Sequence, residues 1–353
     1  MHSPRPSRFT IVKAFFFRTI LLFTLQLSLL AQNPRVTSLI REGQAALEAG
    51  DYAIAIRDFQ QAQQLSPDSL EAARGLLLSY LQAGRLSDAE NSGKMSVGRW
   101  SKDTELQHLL GLVYFKQGRN SLALHLLQQA ENLDPARADL HFDSALVFLS
   151  DSKDSEAADE LEKTIKVDPK LVMAHVLLGR AYQNTNRTLL AVEQFRTALR
   201  LDPSIPLGHY HLGFALASLG RNEEAIAEYE KELQGSPDNP QVLYQLGHRQ
   251  LEAGDLSSAM EHLKKATELK PDLGDAFYDL GKATLSQGDA ERAILPLRRA
   301  IELKPADPSP HFQLARALEK SGKKDEAKRE MEIFAELKKA QPIAGGMASS
   351  PIQ

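Results

Sequence analysis

Four histidines recur at one spacing, and they are the first residues in the chain that could do chemistry. They are His141, His175, His209 and His311, separated by 34 residues or by a multiple of 34. A zinc ion needs imidazole nitrogens about 2.0–2.1 Å away, whereas equivalent positions on neighbouring packed helices lie roughly 8–10 Å apart. The spacing therefore predicts histidines that pack in a core, and it predicts no metal site.

The sequence contains no set of residues that would carry catalysis. It has no cysteine, which excludes a cysteine nucleophile, a thiolate zinc site, an iron–sulfur cluster and a disulfide. It also has no phosphate-binding loop, dinucleotide-binding motif, nucleophile elbow or zinc-protease motif. The adjacent carboxylates Asp159 and Glu160, like Glu223 and Glu224, are predicted to lie on solvated faces. We therefore expect neither enzymatic activity nor a cofactor.

Charge is distributed unevenly along the 353 residues. The formal net charge is −4, yet the first 31 residues carry four basic residues and no acidic one, so the remainder is more acidic than the whole chain. Proteins that bind nucleic acid usually present a basic surface. The composition therefore argues against nucleic acid as a partner.

Residues 1–31 have the order of a signal peptide. A basic start is followed by thirteen uncharged residues, Thr19–Ala31, and then by polar residues. A membrane-spanning helix needs about 20 residues, so the length favours cleavage over anchoring. Leu29 is larger than the small residue preferred before a cleavage site, which leaves retention as an N-terminal anchor open. We expect an exported protein, periplasmic or secreted, that meets a membrane only through this segment.

Residues 36–341 repeat with a period of 34. Nine alanines fall in register under that shift: Ala55, Ala89, Ala123, Ala157, Ala191, Ala225, Ala259, Ala293 and Ala327. Each unit has two amphipathic stretches of about a dozen residues, joined by a turn that usually contains glycine. One such helix pair cannot bury both of its apolar faces, so the units must stack. The pattern predicts an all-α array of nine helix pairs, followed by a disordered tail over residues 342–353.

The period and the residues that repeat resemble the tetratricopeptide repeat. The fifth unit shows the pattern nearly whole, in Leu178, Gly179, Tyr182, Ala191, Phe195, Ala198 and Pro203. This resemblance implies a right-handed superhelical α-solenoid of helix-turn-helix repeats. It also implies a protein that binds other proteins, as this family generally does.

The second of the nine repeats departs from the pattern. Gly93 stands where the other units have Phe, Leu, Tyr or Met, and Gly98 adds another glycine to the same helix. Two glycines cost a helix roughly 2 kcal/mol, and the exchange removes a core side chain. We expect a loosened unit, with a hinge or a docking notch as the alternative.

The fifth and ninth positions of each first helix lie on one face, because they are one turn apart. In the resembling family that face lines a concave groove. From the fifth unit onward the face is aromatic and basic, whereas in the earlier units it is predicted to be apolar. The candidate partner-binding residues are Arg180, Tyr210, Phe214, Tyr244, His248, Tyr278, Lys282, Phe312 and Arg316. An aromatic stripe at helical spacing can also be core, and that alternative stays open.

Aromatic rings provide contact area, and Arg and Lys can hold a carboxylate. The face therefore predicts an extended peptide with acidic residues or a free C-terminus as the occupant. Our leading interpretation is a non-enzymatic, exported scaffold that binds a partner protein or peptide. The alternative is a self-associating structural subunit of an envelope assembly such as a pilus, secretion or polysaccharide-export machinery.

Overall fold

The computed structural model describes residues 34–340, which form eighteen α-helices and no strand, so the prediction of an all-α fold is confirmed. The helices are α1 (Pro34–Ala49), α2 (Tyr52–Leu65), α3 (Leu70–Gln82), α4 (Leu86–Arg99), α5 (Thr104–Lys116), α6 (Asn120–Leu133), α7 (Ala138–Ser150), α8 (Asp154–Val167), α9 (Val172–Asn184), α10 (Thr188–Leu201), α11 (Gly208–Ser218), α12 (Asn222–Gly235), α13 (Pro240–Ala253), α14 (Leu256–Leu269), α15 (Gly274–Ser286), α16 (Ala290–Leu303), α17 (Pro308–Lys320) and α18 (Lys324–Ala340). The predicted signal segment and the predicted tail lie outside the described residues. Within the described residues, no helix is both long enough and apolar enough to cross a bilayer.

The helices fall into two compact units. The first contains α1–α8 and ends at Pro169, and the second starts at Lys170 and contains α9–α18. In both units a helix packs mainly against the next helix along the chain, so odd- and even-numbered helices alternate as first and second members of a pair.

A left-handed backbone position ends the first helix of each pair. Gly254, which follows α13, has φ 84°, and its amide donates to the carbonyl oxygen of Leu251. Ser152 and Asn186 occupy the same place after α7 and α9, with φ 60° at both residues. Glycine adopts this conformation without the Cβ clash that other residues meet, and asparagine tolerates it better than most. The turn is therefore retained even where glycine is absent.

Within most pairs a small residue of the first helix faces a large residue of the second. A Cβ atom added to Gly179 would lie 2.6 Å from the Phe195 ring, and one added to Gly213 would lie 2.8 Å from the Tyr229 ring. The same contact joins Gly43 to Phe59, Gly247 to Leu263 and Gly281 to Leu297. The added Cβ of Gly43 would lie 3.0 Å from the ring, which is tight, whereas at the other four positions it would approach more closely than real Cβ atoms do, so only glycine fits there. The large side chain then fills the space between the two helices.

The pair formed by α3 and α4 reverses this arrangement. Its first helix carries Leu77, which is fully buried, and its second helix carries Gly93. A Cβ atom on Gly93 would lie 3.3 Å from Leu77 Cδ1 and 2.8 Å from Leu110 Cδ1. α4 runs without a break from Leu86 to Arg99. The predicted loss of a core side chain in the second repeat was therefore wrong, because Leu77 and Leu110 fill the place that Gly93 leaves.

The four recurring histidines bridge the two helices of their own pairs. In each, Nδ1 contacts a side-chain oxygen nineteen residues later: Glu160 at 2.8 Å, Gln194 at 2.8 Å, Glu228 at 2.5 Å and Glu330 at 2.6 Å. His141, His175 and His311 are buried as predicted, and His209 is half-buried. The predicted solvated position of Glu160 was wrong, because Glu160 is buried and points at His141, whereas Asp159 is exposed as predicted.

The reversed pair yields a prediction about coupling. Leu77→Ala should lower the free energy of unfolding by about 2–5 kcal/mol through a cavity, and Gly93→Leu by about 1–3 kcal/mol through overpacking. In the double variant the new leucine fills the space left by Leu77. Its loss of unfolding free energy should therefore be at least ~1 kcal/mol smaller than the sum of the two single losses. Urea unfolding of the four proteins measures this coupling.

The matched control combines Gly93→Leu with Leu263→Ala, which removes an equally buried leucine from the second unit. We expect those two losses to add. Additive losses for the Leu77 and Gly93 pair as well would contradict the exchange of space between α3 and α4.

Candidate functional site

All nine candidate partner-binding residues lie in the second unit, on the first helices of its pairs. α9 carries Arg180, and α11, α13, α15 and α17 carry the others two by two. Exposure differs among the nine: Arg316 is exposed, Tyr244 is buried, and the remaining seven are half-buried. The face is therefore a mixture of packing and accessible side chains, which the sequence pattern did not separate.

On α11, Tyr210 stands at the centre of an aromatic group. Its ring centroid lies 6.4 Å from Phe214 and 6.1 Å from Tyr229, and it meets His211 edge-on at 5.4 Å. Its side chain also hydrogen-bonds Gln241, while burial raises the pKa of the phenol. The half-buried ring of Phe214 continues this apolar surface toward solvent.

A buried carboxylate positions the start of α11. Leu207, directly before the helix, has the left-handed φ of 61°. The backbone amides of Leu207 and Tyr210 donate to Glu232 of α12 at 3.0 and 3.3 Å. An acidic group at a helix N-terminus satisfies free amides and complements the helix dipole. Glu232 thus fixes the first turn of α11 and the place of the Tyr210 ring.

On α13, Tyr244 and His248 are held by the following first helix. Tyr244 is only 6% exposed, and its pKa is raised by burial and by the nearby Asp279 and Asp275. Nδ1 of His248 lies 2.6 Å from Oδ2 of the buried Asp279 of α15. Tyr244 is therefore a packing residue, and His248 has its δ nitrogen occupied within the protein.

On α15 and α17 the accessible groups are rings beside cations. The Tyr278 side chain hydrogen-bonds Gln313, and burial raises the pKa of its phenol. The Phe312 ring packs on Phe334 of α18 with centroids 5.2 Å apart. The Arg316 guanidinium lies 5.9 Å from the Phe312 ring centroid, within the range of a cation–π contact. These contacts hold the rings in place and leave Arg316 facing solvent.

The equivalent face of the first unit carries Leu78, Leu112 and Leu146, and a network of charged residues centred on His108 lies beside these apolar side chains. Nε2 of His108 lies 2.7 Å from Oδ2 of Asp143. Arg137 donates to Glu105 at 2.8 Å, forms an ion pair with Asp139 and lies 3.3 Å from Nδ1 of His108. Although burial opposes protonation, the hydrogen bond and charge of Asp143 together with the other two carboxylates raise the pKa of His108. This network neutralises itself, and the first unit thereby differs from the second.

Several residues that shape the site were not predicted. Glu232, Asp279, Gln241 and Gln313 hold the aromatic and histidine residues of the face. Asp279 and Gln313 occupy the same repeat position, whereas Glu232 and Gln241 each occupy a different one. Glu232 acts within its own helix pair, whereas the other three act between neighbouring pairs. The period of 34 residues does not show which side chain each of them contacts.

Lowering the pH should reduce the stability of the folded protein through protonation of His211. Its ring stacks on Phe195 at 5.5 Å, and burial followed by the charge of Arg180 lowers its pKa from 6.5 to about 4. Between these values the unfolded chain binds a proton that the folded protein does not, so unfolding is favoured as pH falls. We expect this group to contribute roughly 3 kcal/mol of stability above pH 6.5 and to lose it toward pH 4.

Denaturant titrations at several pH values test this with His211→Phe, which keeps a stacked ring and removes the titration. Its stability should fall less steeply with acidification than that of the wild type. His125→Phe, at an exposed histidine of α6, is the control and should leave the slope unchanged. An unchanged slope in His211→Phe would show that His211 titrates normally in the folded protein.

Several solved structures are similar to parts of the chain. YrrB, described as a TPR protein with an unusual peptide-binding site, is 22% identical, with a TM-score of 0.47 over 52% of this chain and 95% of that chain. MamA from Desulfovibrio magneticus RS-1 is 21% identical, with a TM-score of 0.46 over 48% of this chain and 96% of that chain. The APC/C hetero-tetramer Cut9–Hcn1 is 16% identical, with a TM-score of 0.48 over 79% of this chain and 55% of that chain.

Sequence comparison identifies the family. The Photosystem I assembly protein Ycf3 from two strains of Prochlorococcus marinus, MIT 9303 and MIT 9313, is 28% identical over 103 residues. That is 28% of this chain, which spans 60% of the length of these curated relatives. A sequence model described as the tetratricopeptide repeat matches residues 40–103, 108–170, 176–240 and 244–308, more than half of the chain. The chain therefore belongs to the tetratricopeptide repeat family.

Proposed function

We propose that this protein is an exported, non-enzymatic scaffold of nine tetratricopeptide repeats behind a signal peptide, and that it binds an extended segment of a partner protein. The binding surface is the first-helix face of the second unit. The observation that carries the proposal is the combination of partly exposed rings and cations along this face: Tyr210, Phe214, Tyr278, Lys282, Phe312 and Arg316.

The chemistry of the face favours an acidic occupant. Lys282 and Arg316 are each one turn from an aromatic ring on the same helix, so an extended chain could place apolar side chains on the rings and carboxylates on the cations. Asp279 on the same face is buried against His248, which reduces its repulsion of an incoming carboxylate. The rings are already held by neighbouring residues, so binding would cost little side-chain entropy.

The role of the curated relatives is compatible with this proposal. Ycf3 is named as an assembly protein, and an assembly factor must hold another protein for a time. The proposal takes from that name only the class of partner, a protein. Export is proposed from the order of residues 1–31 alone.

A binding titration with peptides of opposite charge tests the proposal. Two short fluorescent peptides carry the same leucines and a free C-terminus, with Asp and Glu in one and Lys in the other. Fluorescence anisotropy with the full chain should show saturable binding of the acidic peptide, at least ~10-fold tighter than the basic one. Binding should weaken as salt is added, because exposed charges are screened.

Variants locate the surface. Phe214→Ala, Lys282→Ala and Arg316→Ala together should weaken binding of the acidic peptide about tenfold or more, a cost of at least ~1.4 kcal/mol. The triple variant keeps the buried Tyr244, so the packing of α13 is preserved. The matched control changes Leu295, Arg292 and Arg298 of α16 to alanine; Leu295 is 76% exposed. It should bind like the wild type.

Two outcomes would contradict the proposal. Equal affinity for the acidic and basic peptides, or an equal loss in the control variant, would remove the case for recognition by this face. If the full chain instead forms oligomers in sedimentation experiments and the triple variant alone dissociates them, the face is a self-association surface. That result would support the alternative, a structural subunit of an envelope assembly.

A further inference from the structure

Three metal-ligating side chains converge inside the first unit, away from the proposed binding face. They are Glu131 of α6, His141 of α7 and Glu160 of α8, and all three are buried. One ligand atom of each lies within 4.8 Å of the others. The periodic pattern places equivalent histidines in different repeats and gives no signal for a set built from one histidine and two carboxylates.

In both glutamates one carboxylate oxygen accepts a hydrogen bond from another side chain, and the other oxygen faces His141. Ser144 donates to Oε1 of Glu131 at 2.6 Å, and Lys163 donates to Oε1 of Glu160 at 2.8 Å. The other oxygens face Nδ1 of His141, with Oε2 of Glu160 at 2.8 Å and Oε2 of Glu131 at 3.8 Å. Metal ligands in proteins are oriented in this way by hydrogen bonds to their second atoms.

Both ring nitrogens of His141 face oxygen acceptors. Nε2 of His141 lies 3.3 Å from the carbonyl oxygen of Pro135, which can only accept a hydrogen bond. With the ring proton on Nε2, the neutral imidazole presents the lone pair of Nδ1 to two carboxylate oxygens. In that tautomer three acceptors face one another in a buried space, and a divalent cation between them would satisfy all three, whereas a proton on Nδ1 satisfies only the contact with Glu160.

The spacing of the three atoms suits a small divalent ion. Ligands bound tetrahedrally to zinc at 2.0–2.1 Å are about 3.3 Å apart, and the two distances from Nδ1 lie on either side of that value. Of the three residues, Glu160 also lines an open surface depression, together with Phe148, Glu156, Asp159, Glu162, Lys163 and Lys166. Three protein ligands would leave the fourth position to water.

Comparison with another repeat isolates the role of Glu131. His209 contacts Glu228 through Nδ1 at 2.5 Å, in the same geometry as His141 and Glu160. Leu199 stands ten residues before His209, at the position that Glu131 occupies before His141. The His209 pair therefore has two of the three candidate ligands and serves as a natural two-ligand reference.

We propose that Glu131, His141 and Glu160 bind one divalent transition-metal ion of the zinc type. The ion joins α6 to the helix pair formed by α7 and α8 and fixes these helices within the first unit. It stabilises the fold because the unfolded chain does not bring the three ligands together. This inference is independent of the proposed peptide-binding face.

Zinc binding to the full chain, purified without a histidine tag and stripped with a chelator, tests the site. Isothermal titration with Zn²⁺ should give one ion per chain, and the bound ion should raise the unfolding temperature. Glu131→Gln and His141→Gln should each weaken zinc binding by a factor of about 10–100 or more. Co²⁺ in place of Zn²⁺ should give visible absorption typical of tetrahedral nitrogen and oxygen ligation.

Control variants keep this test decisive. His209→Gln removes the equivalent histidine of the two-ligand reference and should leave zinc binding unchanged. Circular dichroism should show the same helix content in all the variants. Absence of zinc binding by the wild type, or binding that survives in Glu131→Gln, would overturn the proposal. The three groups would then share a proton on His141 and no metal ion.

Discussion

Most helix pairs depend on the contact between a small residue in one helix and a large residue in the other. In four pairs a glycine of the first helix admits a ring or a leucine of the second, so close that no Cβ could replace its hydrogen without a shift. This contact sets the distance between the two helices and turns the remaining faces outward. The pair of α3 and α4 meets the same requirement with the sizes exchanged between Leu77 and Gly93. The constraint is therefore on the summed volume, and either helix can supply it.

A polar contact accompanies this packing in four pairs. Each of the recurring histidines reaches across to a carboxylate or amide oxygen nineteen residues later. Satisfying both groups within the pair lets them be buried without the cost of an unpaired polar group. Where Glu131 joins His141 and Glu160, the same contact gains a third ligand and becomes a candidate metal site.

The helical architecture follows from the sequence because its cause is repeated many times. The period of 34, the left-handed turn and the amphipathic stretches each recur along the chain, and the described residues are helical where these patterns predict it. The histidine contacts also have a signal in the sequence. The residue nineteen positions later is Glu or Gln only in the four repeats that have histidine at this position. The assignment of nine repeats to residues 36–341 stays a prediction.

What could not be predicted depends on single contacts between elements. Gly93 read alone indicated a missing side chain, because the identity of its filler, Leu77, depends on how α3 and α4 pack. Glu160 read alone indicated a solvated face, because its burial depends on His141. Tyr244 and Tyr210 occupy the same position in their repeats, yet only Tyr244 is buried, beside Asp279 of the next pair. Periodicity predicts which residues share a face and not how deeply each is covered.

We propose that the first-helix face of the second unit contacts another protein. Photo-crosslinking tests it most directly, with benzoylphenylalanine placed at Phe214 or, as the control, at the exposed Leu295 of α16, in cells that normally make this protein. We expect light to join the chain to a different protein from position 214 and not from position 295. Adducts that contain only two copies of this chain, or the same adducts from both positions, would contradict it.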